Sequence, residues 1–418
     1  MVATWITLLF FLGYLCIILD HVFKIDKTAI ALLTGVGCWI AYFAFFATPM
    51  DEKLLHLNSH LADISQIIFF LMGAMLIVEV IDAHKGLDVL GDYIAFKSPK
   101  AVLWATLFLA FFMSALLDNL TTMIVFICLL RKVIPSLKER LIYLAAVVVA
   151  ANIGGVWTPI GDVTTTMLWI GDRITPIAII QSLFLPCLVS LATLGTLVSF
   201  KLGPDVHTQK YLREADKILG RKRVLVVGLS TFLVAPILKM AIDLPPFLGI
   251  MFGVAILWVM TDLMHYRDPK REHLRVFHVL GRIDLSSVLF FLGILLAVDS
   301  LEVSGVLNDV VGWIESVTKN AIVITGSIGI VSSVLDNVPL VAACMRMYPL
   351  EVFGTNHYFW NLIAYCAGTG GSILIIGSAP GIALMSMEKV SFAWYLKHMS
   401  WISLICYLVG LGVFIALS

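Results

Sequence analysis

The sequence predicts an all-α polytopic membrane protein with two inverted-topology repeats. Each repeat has about five transmembrane helices plus one re-entrant hairpin, and discontinuous helices meet at the midplane. Three observations lead to this prediction. Hydrophobic residues make up 60% of the 418 residues and charged residues only 13%, where soluble domains carry about 25% charged residues. Long apolar stretches recur along the whole chain, and the polar residues that interrupt them occur twice in the same order.

Ten apolar stretches are long enough to span a bilayer, which takes roughly 20 residues per helix. Two further stretches, about 100–131 and 320–347, are long but are interrupted in the middle by polar residues. We interpret each as a re-entrant hairpin whose two ends lie on the same side of the membrane; the alternative is a single kinked span. The ten predicted spans are about 3–20, 28–48, 64–82, 141–171, 174–200, 223–243, 246–264, 284–301, 359–387 and 392–416.

The distribution of basic residues favours two hairpins, because short cytoplasmic loops carry an excess of Lys and Arg. With hairpins, all but five of the 28 basic residues fall on one side of the membrane. A single span over 100–131 would place Lys100 opposite Arg131 and spoil this separation. The prediction is a bacterial-type inner (plasma) membrane protein with both termini external. The five basic residues on the outer side are Lys53, Arg173, Lys239, Lys319 and Arg346.

Polar landmarks recur in the two halves of the chain in the same order. Leu117-Asp118-Asn119 matches Leu335-Asp336-Asn337, and Gly154-Gly155 matches Gly370-Gly371. Each half holds an odd number of spans, so the second half must be inverted, which is the plan of many secondary transporters. The predicted units are a first repeat over 1–203 with a broken helix at about 141–171, a cytoplasmic linker over 204–222, and a second repeat over 223–418 with a broken helix at about 359–387.

Acidic residues deep in the apolar stretches need a physical reason, because each costs about 2.5–3.5 kcal/mol to insert into a membrane. We expect no basic residue at a comparable depth, so these acids are either neutral part of the time or paired with a bound cation. Burial favours the neutral form of a carboxyl group, and two neighbouring acids titrate as a pair. The deep acids are Glu79, Asp118, Asp162, Asp299 and Asp336.

The pairs Asp118-Asn119 and Asp336-Asn337 lie at the predicted hairpin tips. A tip leaves backbone groups unpaired, which is tolerated only in a cavity lined by protein or water. Carbonyl, amide and carboxylate oxygens together suit a hard cation, so we expect Na⁺ at these four residues. The alternative is that the Asp and Asn side chains only cap the tip helices.

Two Gly- and Pro-rich segments interrupt the predicted broken helices. Gly permits close backbone approach and Pro breaks a helix, which leaves free carbonyls on one half-helix and a positive dipole end on the other. Only the first segment carries a carboxylate, so the predicted site is chemically lopsided. The alternative is a packing role for the glycines. The candidate ion-binding and proton-exchange residues of these segments are Asn152, Thr158, Asp162, Thr164, Thr165, Ser372 and Ser378.

Two acid pairs, Glu79 with Asp82 and Asp299 with Glu302, are spaced three residues apart and so share one helix face. Glu79 and Asp299 are candidate members of a proton relay. The alternative is that they lie in interfacial water at the ends of spans.

At these residues the chain resembles the NhaD-type sodium/proton antiporters of the ion transporter superfamily. The resemblance runs from about residue 60 to the C-terminus. Its most specific motifs are Leu-Asp118-Asn119-Leu-Thr-Thr122, Asn152-x-Gly-Gly-x-Trp-Thr158-Pro-Ile-Gly-Asp162, Leu-Asp336-Asn337-Val-Pro339 and Gly-Thr-Gly-Gly-Ser372.

The resemblance implies Na⁺ (and Li⁺) export in exchange for H⁺, on a fold made of a scaffold and a mobile transport unit. It also implies a homodimer in the lipid bilayer. It places the ion-site role on Asp118, Asn119, Asn152, Asp162, Thr164, Thr165, Asp336, Asn337 and Ser372.

Other functions fit the sequence less well. The alternative is a di- or tricarboxylate transporter or an arsenite transporter on the same scaffold. Relatives that transport dicarboxylates carry a motif like Ser-Asn-Thr at both tips, whereas this chain has Asp118-Asn119 and Asp336-Asn337 there. An acid there would repel a dianion by roughly 4 kcal/mol at 4 Å. The sequence contains no P-loop, so it gives no indication of ATP use. Its net charge of zero does not point to nucleic acid. It contains no H-E-x-x-H or G-x-S-x-G motif that would indicate an enzyme. We expect no cofactor. A channel or an intramembrane aspartyl enzyme stays open as a minor alternative.

Overall fold

A computed structural model describes residues 2–18, 25–86, 94, 98–202, 220–266, 268–318, 320–334 and 337–418. Regular structure in these ranges is helical, and eight helices within them are long and apolar enough to cross a bilayer. These findings confirm an all-helical polytopic membrane protein. The principal helices are α1 (Val2–Ile18), α2 (Lys27–Phe45), α3 (Met50–Ala83), α4 (Pro99–Leu117), α5 (Asn119–Val133), α6 (Leu137–Gly155), α7 (Val163–Ile170), α8 (Pro176–Ser199), α9 (Arg221–Ile242), α10 (Pro246–His265), α11 (Leu285–Val303), α12 (Val306–Val317), α13 (Ala321–Val331), α14 (Asn337–Met347), α15 (Tyr358–Gly370), α16 (Ala379–Glu388) and α17 (Phe392–Leu417).

The helices pack in two groups. The first group contains α1, α2, α3, α9, α10 and α11, with α2 lying between α1 and α11. The second group contains α4 to α8 and α13 to α17, and in it α6 packs on α4, α5, α15 and α16. The two groups meet where α3 contacts α7 and where α11 contacts α14. The short interrupted helices therefore all lie in the second group, and two of them, α7 and α14, pack against helices of the first group.

The helices are interrupted where the sequence predicts it. Asp118 separates α4 from α5, and residues 156–162 separate α6 from α7. In the second half, α13 ends at Val331 and is followed by the turn 332–334, α14 begins at Asn337, and 371–378 separate α15 from α16. The predicted tip residue Asp336 lies outside the described residues. That both arms of each hairpin end on the same side of the membrane stays a prediction, and most of the predicted linker 204–222 also lies outside the described residues.

One predicted span is too short. The stretch expected at about 64–82 belongs to a helix that begins at Met50. Its first turns are polar, so hydropathy alone does not mark them, but they are held in place by the preceding helix. The Lys53 amine, buried in this turn, donates to the backbone carbonyls of Phe43 and Phe46 at the end of α2.

The two halves repeat the same local contacts. The Ser114 hydroxyl on α4 donates to the carbonyl of Ala151 on α6 at 2.6 Å, and the Ser332 hydroxyl beside α13 donates to the carbonyl of Ala367 on α15 at 2.7 Å. Gly154 and Gly370 provide a second matched contact, because a Cβ at Gly154 would overlap the backbone of Phe111 on α4 and a Cβ at Gly370 would overlap that of Gly329 on α13. The close approach of a tip helix to a broken helix is therefore built twice from equivalent residues.

Candidate functional site

The second halves of the broken helices begin at equivalent residues. Asp162 is the N-cap of α7 with φ −146° and ψ 147°, and Ser378 is the N-cap of α16 with φ −148° and ψ 152°. The amide of Asn152, near the end of α6, donates to the Ser378 hydroxyl at 2.9 Å. This bond connects the first half of the chain to the second at the point where the broken helices cross.

Asp162 is the carboxylate at this crossing, and only 1% of its surface is exposed. Its Oδ1 accepts hydrogen bonds from the backbone amide of Thr164 at 2.8 Å and from the Thr164 hydroxyl at 2.6 Å. Its Oδ2 accepts from the Asn119 amide at 2.5 Å. The positive end of the α7 dipole stabilises an ionised carboxylate at the N-cap. The Thr165 hydroxyl donates to the Asp162 carbonyl and closes the first turn of α7.

The Asn119 amide bridges two oxygens. Its Nδ2 donates to Asp162 Oδ2 and, at 3.0 Å, to Asn152 Oδ1. The Asn119 amino group therefore lies between Asn152 Oδ1 and Asp162 Oδ2, where a small cation could contact the same two oxygens. We name Asn119, Asn152, Asp162, Thr164 and Ser378 the central cluster. Its side chains are two amides, two hydroxyls and one carboxylate, so the cluster carries a net negative charge and is rich in oxygen ligands.

Asp118 has a different local role from Asp162. It is half-buried, its φ is 78°, and it caps α5. Its Oδ1 accepts from the Thr121 amide at 2.8 Å and its Oδ2 accepts from the Thr121 hydroxyl at 2.9 Å. The Asp118 side chain therefore caps α5, and its role in ion binding stays a prediction. Asp118 also interacts electrostatically with Asp162, so it contributes negative charge next to the central cluster.

The remaining predicted residues take several positions around the central cluster. Thr158 donates to the carbonyl of Ala115 at 2.7 Å and fixes the 156–162 connection against α4. Ser372 hydrogen-bonds with Ser403 of α17 at 2.9 Å. Asn337 is buried as the first residue of α14.

The two candidate relay acids lie on different helices of the first group. Glu79 is half-buried on α3. Asp299 on α11 is paired with Arg346 of α14, whose Nε lies 3.0 Å from Asp299 Oδ1. The expectation that no basic residue lies at the depth of these acids is therefore wrong for Asp299. Arg346 also contacts Glu302 at 3.1 Å and Asp63 at 3.4 Å, because a long side chain reaches several ångströms from its backbone position.

A polar cavity of about 370 Å³ lies at the C-terminal ends of α7 and α14. It is lined on the second group by Met167, Ile170 and Arg346, and on the first by Asp63 and Asp299. Arg173 and Lys239 also line it, so three of the five basic residues predicted on the outer side lie close together. Lys239 pairs there with Asp172 at 3.1 Å. The cavity is therefore bounded by both groups and crossed by ion pairs between them.

Sequence reasoning missed Glu388, the last residue of α16. This buried carboxylate lies 2.6 Å from Arg131 of α5 and 2.8 Å from Arg140 of α6. The three residues connect both halves at the ends of their helices. The sequence did carry a signal for this residue. Glu388 is an acid at the end of the second broken helix, on the predicted cytoplasmic side, where most of the basic residues lie.

Comparison with known proteins identifies the family. The family described as Citrate transporter (CitMHS) matches residues 14–361. The chain is 43% identical to Sodium/proton antiporter 1 of Arabidopsis thaliana, over 98% of this chain and 71% of that protein. It is 43% identical to Sodium/proton antiporter 2 of the same plant, over 98% of each chain.

A bacterial relative also matches nearly the whole chain. The Na(+)/H(+) antiporter NhaD of Alkalimonas amylolytica is 29% identical over 98% of this chain and 89% of that protein. The chain therefore belongs to the CitMHS family and, within it, groups with the NhaD-type and plant sodium/proton antiporters.

Proposed function

We propose that the protein is a secondary Na⁺(Li⁺)/H⁺ antiporter that exports sodium by competition of Na⁺ and H⁺ for buried carboxylates. The observation that supports this most is Asp162, a buried carboxylate that accepts hydrogen bonds from the Asn119 amide and from Thr164 where the broken helices meet. The similarity to proteins named sodium/proton antiporters supports the same function.

The composition of the central cluster favours a cation over citrate. A trianion would face the charge of Asp162 and, beside it, that of Asp118. A cation instead gains oxygen ligands if the Asn119 amide turns over, because its Oδ1 then replaces its Nδ2 between Asn152 and Asp162. Hard monovalent and divalent cations prefer such oxygen ligands.

The proposed mechanism has one carboxylate serve two ions. With Na⁺ or H⁺ bound at Asp162, the central cluster is close to neutral and can move within the membrane. Without either ion it holds a buried charge, which is costly in an apolar environment. Exchange of one ion for the other follows from this difference alone. In this proposal Asp118, Asp336 and Asn337 complete the ion-binding region from the two helix tips.

The architecture proposed with this function is an inverted repeat over 1–203 and 223–418. The matched contacts of Ser114 and Ser332 support two equivalent repeats. We propose that α4–α5 and α13–α14 are the two re-entrant hairpins, that the first helix group is the scaffold, and that the second is the mobile unit. We also propose a homodimer in a plasma-type membrane, with both termini external.

A citrate transporter is the second candidate, because the family description names citrate. Purified protein in liposomes with an acid interior and a pH-sensitive dye separates the two. Antiport predicts that external Na⁺ or Li⁺ discharges the pH gradient and that citrate does not. A response to citrate alone would reject the antiporter proposal.

A further inference from the structure

A group of metal-ligand side chains lies outside the central cluster, where α3 meets α11. It consists of His60 on α3 and of Asp299 and Glu302, one turn apart on α11. Their ligand atoms all lie within 4.8 Å of one another. His60 Nδ1 is 3.4 Å from Asp299 Oδ2 and 3.9 Å from Glu302 Oε2. We name these three residues the junction cluster.

Two buried polar atoms of the junction cluster, His60 Nδ1 and Asp299 Oδ2, have no hydrogen-bond partner. A third, Glu302 Oε2, also makes no hydrogen bond but lies 3.1 Å from Arg346 Nε in an ion pair. The side chains of His60 and Asp299 are 9% and 4% exposed, so water cannot easily satisfy them. Buried polar groups without partners are rare and destabilising. Because the three atoms converge on one point, a single bound ion would satisfy all of them.

The charges around the junction cluster also favour a bound cation. Asp299, Glu302 and the neighbouring Asp63 place three carboxylates around the guanidinium of Arg346. Arg173 also interacts with Glu302, so three acids face two arginines and the group keeps a net negative charge. Arg346 hydrogen-bonds to Asp299 through Oδ1, which leaves Oδ2 directed at His60. A carboxylate that is bound on one oxygen by a neighbouring group is the usual arrangement for an oriented metal ligand.

We propose that the junction cluster is a binding site for a divalent transition-metal ion, with Zn²⁺ as the best match. One imidazole nitrogen and two carboxylate oxygens are ligands of Zn²⁺, which binds them at about 2.0–2.2 Å. Ligands of a tetrahedral ion at that length lie about 3.3 Å apart, close to the 3.4 and 3.9 Å in the structure. The fourth position remains for water.

The position of this site connects it to the contact between the two helix groups. Zn²⁺ would share Asp299 and Glu302 with Arg346, the arginine through which α14 contacts α11. Zn²⁺ and Arg346 are both cations at the same carboxylates, so each weakens the binding of the other. Removing the arginine charge should therefore tighten Zn²⁺ binding.

Isothermal titration calorimetry of the purified, EDTA-treated full chain with ZnCl₂ tests the proposal. We expect one Zn²⁺ per chain in the wild type, at least tenfold weaker binding in His60→Gln and in Glu302→Gln, and tighter binding in Arg346→Gln. His278→Gln, which changes an exposed histidine, should bind as the wild type does and controls for surface imidazoles.

Two results would overturn the proposal. One is the absence of stoichiometric Zn²⁺ binding to a folded wild type, which would mean that a proton on His60 satisfies the junction cluster. The other is unchanged binding in both His60→Gln and Glu302→Gln. Asp162→Asn should retain Zn²⁺ binding, so this test is independent of the antiport proposal.

Discussion

Replacing Asp162 by Asn should abolish sodium-coupled proton movement while leaving the fold intact. The change removes one negative charge from the central cluster and keeps a side chain of the same shape. Asn caps helices about as well as Asp does, and its oxygen can still accept from the Thr164 amide, which lies 2.8 Å from Asp162 Oδ1 in the wild type. Its NH₂ replaces the oxygen that accepts from Asn119, so the Asn119 amide turns over and accepts from it. We therefore expect little change in the apparent Tm of the purified protein.

The size of the effect follows from electrostatics. A carboxylate about 4 Å from a monovalent cation contributes roughly 4 kcal/mol at an effective dielectric constant near 20. Since 1.4 kcal/mol corresponds to a factor of ten, Na⁺ affinity should fall by roughly a thousandfold. Asp162 is almost fully buried, so the low effective dielectric constant applies to it.

The assay is Na⁺-induced collapse of a pH gradient in proteoliposomes, measured over a wide range of Na⁺ concentration. Asp51→Asn is the matched control, because Asp51 is an exposed carboxylate at the start of α3. The reasoning is refuted if Asp162→Asn folds, reconstitutes, and exchanges Na⁺ for H⁺ with the affinity of the wild type.

Three further substitutions have predictable effects. Asp118→Asn should weaken Na⁺ affinity by only about tenfold in the same transport assay, because both Asp118 oxygens cap α5 through Thr121 and the residue lies beside the central cluster and not in it, and Coulomb attraction falls with distance; an effect as large as that of Asp162→Asn would contradict the ranking. Glu388→Ala should lower the free energy of unfolding by about 3 kcal/mol, measured by thermal unfolding, since it leaves two arginines without their buried partner. Lys138→Ala, which changes an exposed side chain, is the control and should leave the thermal unfolding curve unchanged. Gly154→Ala should destabilise by about 1–3 kcal/mol because its Cβ overlaps backbone, whereas Gly37→Ala, which faces open space, should be neutral or stabilising in the same measurement.

The interruptions of the helices could be predicted from sequence because their cause is local. Gly, Pro and polar residues inside an apolar stretch interrupt a helix through their own backbone and side-chain properties, independently of tertiary contacts. Asp118 and the segment 156–162 are examples, and both interrupt helices in the structure. The repetition of these signals in the second half was also visible, because the polar landmarks kept their order.

The partners of individual side chains could not be predicted in the same way. Hydropathy gives the depth of a residue in the membrane but not the direction in which it faces. Asp299 and Arg346 therefore seemed to lie at different depths, and only the packing of α11 on α14 shows that they are paired. The bond from Asn152 to Ser378 likewise depends on how two distant helices cross.

The choice between the two tip-region carboxylates also needed the structure. From sequence, Na⁺ was expected at Asp118 together with Asn119, Asp336 and Asn337, and Asp162 was a further candidate for ion binding and proton exchange. The structure gives Asp118 a capping role with Thr121, whereas Asp162 accepts hydrogen bonds from the Asn119 amide and from Thr164. The difference arises from tertiary contacts made by Asn119, one residue beyond the cap.

Proton release on Na⁺ binding tests the central claim most directly. Purified protein in a weakly buffered solution with a pH indicator is titrated with NaCl, and the protons released are counted against the Na⁺ bound. The account predicts release that approaches one proton per Na⁺ at pH values where Asp162 is protonated, with none in Asp162→Asn. Na⁺ binding without proton release across neutral and acidic pH, or equal release in Asp162→Asn, would contradict it.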